Sequence, residues 1–463
     1  MTKDISGMNF QLHADSEISE STEKISYFEI RDMVSSLQPV SVRDVGSSQW
    51  TSIHQTMSKL NLKAHAQVQD EVEESIVSEI IKQDKIKCLV HHLLAIETWK
   101  INVFPFLKDD FANHDNIRAY FMLYHEATAI NLLELILFRK DAVESLGDAQ
   151  VDLIDYCARK IQALNLWNEK TSTEKGQESV ADALKNVSNS SEQLRSQSEM
   201  EFTVAINSLS VLRYITDAIS TAPLTAVTRI LKDHDIISSL VYLMENAPWL
   251  RAHDKDGKFE KFEDGRWKSV SKQEILLLGK VEAQIWLALY NLLLEPECQK
   301  KYNYNMHNHE VILRLRAYMN QDLFDQVPVL EVLYRYLEQL SITDVPIESF
   351  EQSKVLVHEI PDLTRDIMAD NAWEDIARQQ KLAYVSESKT SKDAFTASLA
   401  SIYDLSELEQ FLEDPICSAC GELAVQRCSR CKLEWYCGRP CQVQAWDSHK
   451  KVCDLIVRSS TNN

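Results

Sequence analysis

Seven cysteines and one histidine near the C-terminal end of the chain have the types and the spacing of zinc ligands. They are Cys417, Cys420, Cys428, Cys431, Cys437, Cys441, His449 and Cys453. Thiolate and imidazole groups are donors that Zn²⁺ prefers, and eight of them make two complete tetrahedral sets. No coordination position then remains for a substrate or an activated water. We therefore expect two structural Zn²⁺ ions and no catalytic residue at this site.

The spacing groups these eight donors into four pairs. The pairs are Cys417 with Cys420, Cys428 with Cys431, Cys437 with Cys441, and His449 with Cys453. A Cys-x2-Cys pair places two sulfurs on one tight knuckle, and donors four residues apart share one face of a helical turn. Neighbouring pairs can share one zinc ion, or alternate pairs can share it in an interleaved arrangement. The spacing leaves both arrangements open. Because so short a segment buries few apolar side chains, its folding depends on the metal.

Charge is distributed unevenly along the chain. The formal net charge is −21, but residues 417–458 contain seven basic and four acidic residues, a balance of +3 that leaves −24 for the rest. A body this acidic repels phosphate backbones, so we expect no nucleic-acid binding. Within 417–458 the basic side chains offset the −3 that seven thiolates leave around two Zn²⁺ ions, which accounts for them without a DNA-binding surface.

The elements that must position this module are helical, because glycine and proline are scarce, with 9 and 10 residues in 463. Sheets and tight loops need such residues, so the composition predicts long helices joined by short connections. Apolar residues recur at three- and four-residue steps over 27–167 and over 201–345, which is typical of packed helices. No repeat consensus is visible. We expect a mainly α fold, an irregular armadillo- or HEAT-like α-helical solenoid.

Composition also divides the chain into regions. The predicted regions are a flexible N-terminal tail (1–26), an N-terminal helical region (27–167), a polar linker or insertion (168–200), a second helical region (201–345), amphipathic helices over 361–382 and 397–412 with a hinge (346–413), the zinc module (414–456) and a short tail (457–463). No apolar segment of a signal peptide opens the chain, and its most apolar stretch, 131–138, is far shorter than the ~18 residues of a membrane helix. We therefore expect a cytoplasmic protein without a membrane span.

One segment, about 258–270, departs from the helical pattern. Asp264-Gly265 favours the type I′ turn that closes a two-residue β-hairpin. The hairpin would place two favourable pairs across the strands, the aromatic pair Phe262 with Trp267 and the oppositely charged pair Glu263 with Arg266. A calcium-binding loop is the alternative, but Ala252 occupies the position of its first carboxylate. The sequence therefore predicts one short β-hairpin here.

Two further groups of residues have side chains that bind metals. His91 and His92 lie near Cys88, and His307 lies near His309. Histidines satisfied by hydrogen bonds within a helical body, and cysteines buried as thiols, are the simpler interpretation for residues scattered through helical patterns. We expect no metal site outside the C-terminal module.

The C-terminal run resembles the MYND zinc finger at all eight ligand positions, with Trp435-Tyr436 before the fifth ligand. The resemblance implies a cross-braced module. Its zinc sets would be Cys417, Cys420, Cys437 and Cys441 for the first ion, and Cys428, Cys431, His449 and Cys453 for the second. It also implies a protein-binding function, in which Gln442 and Trp446 line a groove for short, often proline-containing peptides. The alternative is that Trp446 only packs the small core.

Several stretches of the helical body resemble a family of MYND-containing factors that assist the cytoplasmic preassembly of axonemal dynein arms in cilia and flagella. They are 124–127, 131–134, 209–217 and 289–294, together with 427–442 in the finger. The resemblance implies a non-enzymatic adaptor with co-chaperone-like behaviour. Its partners would be other dynein arm assembly factors and chaperones, with dynein chains as clients.

Two other functions fit the finger alone. A MYND-type transcriptional corepressor adaptor would need nuclear entry, but the chain has no basic cluster that resembles a nuclear signal. A lysine methyltransferase of the SET/MYND type would need a Gly-rich cofactor loop and an Asn-His-x-Cys motif, and the sequence contains no such motif. We therefore expect an adaptor and not an enzyme.

Overall fold

The computed structural model describes residues 26–460, apart from 71–73, 109–115, 168–189, 254–257, 273, 303, 344–360, 370–371, 387–416, 421–423, 425 and 431–433. Within this part of the chain the protein is mainly α-helical, so the predicted fold class is confirmed. The predicted N-terminal tail up to residue 25, most of the polar linker, the hinge and the helix expected over 397–412 lie outside the described residues.

The main helices of the first helical region follow one another in chain order. They are α1 Tyr27–Ser36, α2 Ser48–Gln69, α3 Ser75–Lys82, α4 Ile86–Asn102, α5 Asn116–Leu137, α6 Lys140–Glu144 and α7 Ala149–Asn165. Serines begin the first two, since Ser26 forms a capping box with Glu29 and the Ser47 hydroxyl accepts the N–H of Trp50. Such side chains satisfy backbone N–H groups that have no partner within the helix.

The second helical region continues the stack. Its helices are α8 Ser190–Asp217, α9 Leu224–Thr228, α10 Ile236–Asn246, α11 Lys280–Leu294, α12 Pro296–Lys301, α13 Met306–Leu313, α14 Gln321–Gln326 and α15 Leu330–Ile342. Helix α5 packs on α2 and α4, α8 packs on α5 and α7, α11 packs on α8, and α15 packs on α11 and α13. This stepwise stacking of unequal helices is the irregular α-solenoid expected from the sequence.

A three-stranded antiparallel sheet interrupts the helices, in the order β1 (Leu250–His253), β2 (Lys258–Glu263) and β3 (Arg266–Val270). The predicted hairpin is confirmed. Asp264 and Gly265 both have positive φ, as a type I′ turn requires. Phe262 pairs with Trp267 and Glu263 with Arg266, as expected. The rings of Phe262 and Trp267 contact Phe202 of α8, which attaches the sheet to the helical body.

Among the described residues, the segment Glu274–Leu294 is long and apolar enough to cross a membrane by length and composition. It includes α11, whose side chains Ile285, Trp286 and Leu289 are buried in the common core. Packing of α11 on α8, α10 and α15 accounts for its apolar character. The helical part of this segment, α11, is therefore a core helix of the solenoid.

A buried ion network joins α4, α5 and α7. Glu126 is fully buried, and its carboxylate lies 2.6 Å from Lys100 Nζ and 2.7 Å from Lys160 Nζ. Tyr156 also donates its hydroxyl to Glu126 at 2.8 Å. Burial alone would raise the pKa of Glu126, but Lys160 and Lys100 outweigh it and lower the pKa to about 2. The carboxylate is charged and fully paired, which makes this burial tolerable.

A chain of three buried histidines lies beside this network. His92 donates its Nε2–H to the carbonyl oxygen of Gln38 at 2.8 Å, so the Nδ1 of the neutral ring accepts from His125 Nε2 at 3.4 Å. Nδ1 of His125 then accepts from His54 Nδ1 at 2.9 Å. Burial lowers the pKa of His54 to about 3 and that of His92 to about 4, and it holds the pKa of His125 well below its ordinary value. All three rings are neutral at physiological pH.

Two helices return from the end of the solenoid to its N-terminal half. The segment expected as one helix over 361–382 forms two helices, α16 (Asp362–Met368) and α17 (Trp373–Ser386). We call α16 and α17 together the return segment. Helix α16 packs on α4 and α7.

Two polar contacts fasten the return segment. Asp152 of α7 accepts the backbone N–H of Thr364 at 2.8 Å and its hydroxyl at 2.6 Å, so it caps α16 from a distant part of the chain. Gln380 of α17 is buried and accepts Nε1–H of Trp99 at 2.9 Å. The same amide donates to the carbonyl oxygens of Val42 and Arg43 at 3.1 and 3.0 Å.

The histidine chain makes stability depend on pH. The unfolded histidines take up protons below their ordinary pKa of about 6.5, whereas the folded rings stay neutral down to about pH 4. The free energy of unfolding should therefore fall as the pH is lowered from 6.5 towards 4, by up to about 1.4 kcal/mol per pH unit for each histidine. Urea denaturation across this range should give a shallower slope for His54→Asn. His307→Asn, at an exposed position, should keep the original slope, and an unchanged slope in His54→Asn contradicts the assignment.

Gln380 offers a matched test of the return segment. Gln380→Ala leaves one indole N–H and two carbonyl groups without this partner, so it should lower the free energy of unfolding by about 2 kcal/mol. Amide hydrogen exchange in α17 should also accelerate. Gln379→Ala, at the exposed neighbouring position, should change the free energy by less than about 0.5 kcal/mol. If both variants lowered the free energy of unfolding by the same amount, the buried hydrogen bonds of Gln380 would make no contribution of their own.

Candidate metal centre in the C-terminal finger

A short hairpin and one helix position the predicted zinc ligands. Strand β4 (Gln426–Arg427) pairs with β5 (Trp435–Tyr436), and helix α18 (Arg439–Ser460) follows. The helix continues to Ser460, into the region 457–463 that was expected as a short tail. These elements enclose a small core of their own, which is separate from that of the helical body. Its buried members are Cys417, Ala424, Cys428, Tyr436 and Cys453.

The first ligand group brings together Cys417, Cys420, Cys437 and Cys441, whose sulfurs all lie within 4.8 Å of one another. The Sγ of Cys437 is 3.5 Å from that of Cys420 and 3.3 Å from that of Cys441. Four sulfurs bound tetrahedrally at about 2.3 Å from zinc are about 3.8 Å apart. The group therefore has the size and the donors of a Cys₄ zinc site.

The protonation of these sulfurs also fits a bound cation. Burial opposes ionisation of Cys417, but backbone N–H groups of Cys437, Ala419 and Cys420 lower its pKa to about 6. By contrast, the hydrogen bonds that the Cys437 thiol makes to Cys441 and Cys420 favour its neutral form and raise its pKa to about 12. Four thiols this close cannot all ionise by themselves. A divalent cation supplies the missing positive charge and holds all of them as thiolates.

The second ligand group contains Cys428, His449 and Cys453, all buried. The sulfurs of Cys428 and Cys453 lie 3.9 Å apart. Cys431, the expected fourth ligand of this group, lies outside the described residues. Each group combines donors of one knuckle with donors of the helical half of the module, which is the interleaved, cross-braced arrangement. The donor sets suit two structural Zn²⁺ ions.

The other candidate ligands lie elsewhere, and none of them joins a group of three possible metal ligands among the described residues. His92 is part of the histidine chain, His307 is hydrogen-bonded to Tyr242, and His309 to the carbonyl oxygen of Leu340. Burial raises the pKa of Cys88 and Cys298 to about 11. Thiols of this kind are inert and structural.

The residues expected to line a peptide groove lie one turn apart on α18. Gln442 and Trp446 are both half-buried, and between them Val443 exposes 67% of its surface. The Trp446 ring meets the ring of His449 edge-on, with centroids 5.8 Å apart. Trp446 therefore supports a zinc ligand and also reaches the surface. Its role in peptide binding stays a prediction.

Sequence reasoning missed one buried residue of the finger. Glu434 is only 8% exposed, and its side chain lies between Ser418, next to a ligand of the first group, and His449 of the helix. A single acidic residue between Leu433 and Trp435 gives no periodic or motif signal. Only the folded module shows that it faces inward.

Comparison with known proteins agrees with this geometry. Residues 417–453 match the family described as "MYND finger". The protein is therefore a helical protein that carries a C-terminal, two-zinc MYND finger.

Over nearly its whole length the chain is similar to a particular protein, the "Zinc finger MYND domain-containing protein 10 homolog" of Drosophila melanogaster. The two are 29% identical over 451 residues, which are 91% of this chain and 96% of the relative. Together with the finger, this confirms the resemblance that the sequence suggested. A second match, "Tudor domain-containing protein 1" of Mus musculus, is 38% identical over 48 residues, only 10% of this chain and 4% of that protein. No solved structure matches the chain.

Loss of one ligand should affect the finger and spare the body. His449→Ala and Cys428→Ser should each lower the zinc content below two ions per chain and unfold the finger, because metal binding supplies its folding free energy. The main thermal transition should stay in place, since the body has a separate core. Elemental analysis and circular dichroism measure both effects. Cys298→Ser, a buried cysteine of the body, should keep two zinc ions, and full zinc content in His449→Ala contradicts the assignment.

Proposed function

We propose that this protein is a non-enzymatic adaptor for the cytoplasmic preassembly of axonemal dynein arms. The observation that carries the proposal is the similarity to the MYND-containing relative along 91% of the chain, helical body included. The finger alone is compatible with many adaptors. Because this chain and the relative are similar in both the helical body and the finger, in the same order, a similar role is supported.

Recognition, and not turnover, is the output that the zinc sites support. Four thiolates complete the first set, and Cys431 would complete the second, so neither ion keeps a position for water or substrate. Buried charges of the body such as Glu126 are held in complete ion networks. In this proposal both kinds of site serve to fix surfaces that bind other proteins.

The finger would bind partner peptides along α18. Trp446 offers a flat aromatic surface, Gln442 an amide that pairs with a peptide backbone, and Val443 an exposed apolar side chain beside them. Aromatic side chains of this kind bind proline-containing peptides, whose preformed shape lowers the entropic penalty of binding. Other dynein arm assembly factors and chaperones are the proposed partners, and dynein chains are the proposed clients.

The matched pair Gln442 and Gln444 tests this surface within one helix. Trp446→Ala should weaken capture of assembly factors and chaperones about 30-fold, or about 2 kcal/mol, as expected for an aromatic anchor. Gln442→Ala should weaken it less, while Gln444→Ala, at an exposed position, should leave it unchanged. The measurement is quantitative pull-down from ciliated cells with the full chain as bait, and all variants should retain two zinc ions.

Three results would contradict this proposal or the proposed surface. Recovery of nuclear corepressor complexes, with the bait located in the nucleus, would favour a MYND-type transcriptional adaptor. Methylation of lysine by the purified chain would contradict a non-enzymatic role. Undiminished capture by Trp446→Ala would move recognition from α18 to another surface.

A further inference from the structure

Glu434 is a buried acidic residue whose carboxylate reaches towards both zinc groups. On one side it accepts the Ser418 hydroxyl at 2.5 Å, and Ser418 directly follows the ligand Cys417. On the other side its Oε1 lies 3.8 Å from Nδ1 of His449, a ligand of the second group. Glu434 and His449 are 8% and 5% exposed. One side chain therefore lies between a neighbour of the first site and a ligand of the second.

The backbone around Glu434 makes the same connection. The N–H of Cys428 donates to the carbonyl oxygen of Glu434 at 2.8 Å, which attaches the knuckle of the second group. The N–H of Ser418 donates to the carbonyl oxygen of Trp435 at 3.0 Å, which attaches the knuckle of the first. Residues 434 and 435 are thus the place where the two halves of the finger are held to each other.

An acidic side chain at this place needs a reason, because seven thiolates already surround the two sites. Burying a further carboxylate is unfavourable unless hydrogen-bond donors or cations satisfy it. A histidine that binds a metal through one ring nitrogen commonly donates the other N–H to a carboxylate, which fixes its tautomer and its orientation. Nδ1 of His449 lies 3.8 Å from Oε1 of Glu434, just beyond hydrogen-bond distance, so we assign Nε2 to the metal and Nδ1 to the carboxylate.

We propose that Glu434 is a positioning residue that orients His449 in the second zinc site and, through Ser418, couples this site to the first. Binding of zinc at one site then favours the geometry of the other. The inference rests on the two-zinc assignment and is independent of the partner that the finger binds.

Zinc affinity of the full-length chain tests the proposal. In competition with a chelator, Glu434→Ala should weaken zinc at the second site 10- to 100-fold, as removal of such carboxylates does in other metal sites. Glu434→Gln keeps one acceptor oxygen and should lose less. Ser418→Ala should leave each site able to bind but weaken the dependence of one site on the other, because the backbone connections remain. Ser429→Ala, an exposed serine of the same finger, should behave like the unmodified chain.

Cobalt substitution distinguishes orientation from simple loss of structure. Co²⁺ bound by four cysteines and Co²⁺ bound by three cysteines and one histidine have different visible spectra, because ligand type sets the electronic transitions. Glu434→Gln should change the Cys₃His component and keep the Cys₄ component. Unchanged affinity and spectra in both Glu434 variants would overturn the proposal. So would equal loss of both components in Glu434→Gln, which would mean that Glu434 only fills space.

Discussion

Repulsion between crowded sulfurs is the constraint on which the finger depends. Cys437 lies within 3.5 Å of two other thiols, and their hydrogen bonds raise its pKa to about 12, so this group cannot become an anionic set by itself. A divalent cation replaces this repulsion among the thiolates by attraction to the metal, because each thiolate becomes a ligand. Since each group takes donors from both halves of the module, binding the metal and folding the finger are one event.

The helical body meets a related problem without a metal. It buries Glu126 only where Lys100 and Lys160 complete its partners, and it buries three histidines only in their neutral form. The carboxylate therefore resists acid, whereas the histidines make the body less stable below pH 6.5. Acid is therefore expected to destabilise both parts, the body by protonating its histidines and the finger by protonating its zinc ligands, whereas chelators should act on the finger alone.

The parts of this structure that sequence predicted are those with local causes. Asp264-Gly265 determines the hairpin and its register because a two-residue turn leaves no other pairing, and the zinc ligands repeat at fixed short spacings. Strand β1 was missed because four residues carry too short an alternation to identify. Asp152 and Gln380 were missed for another reason. Their partners are 212 and 281 residues away, at Thr364 and Trp99, and no local pattern encodes a contact at that distance.

These distant contacts determine from which part of the body the chain leads to the finger. A solenoid that simply ended at α15 would connect the finger to its last helix. Instead α17 is held by Trp99 and by the carbonyl groups of Val42 and Arg43, so the chain enters the 30 residues 387–416 from the N-terminal half of the body. Under the proposed function, a peptide bound by the finger would be tethered to that half, and its effective concentration there would rise without any new contact. A client that binds both parts would then be favoured over one that binds either part alone, which is the selectivity that the proposed adaptor needs.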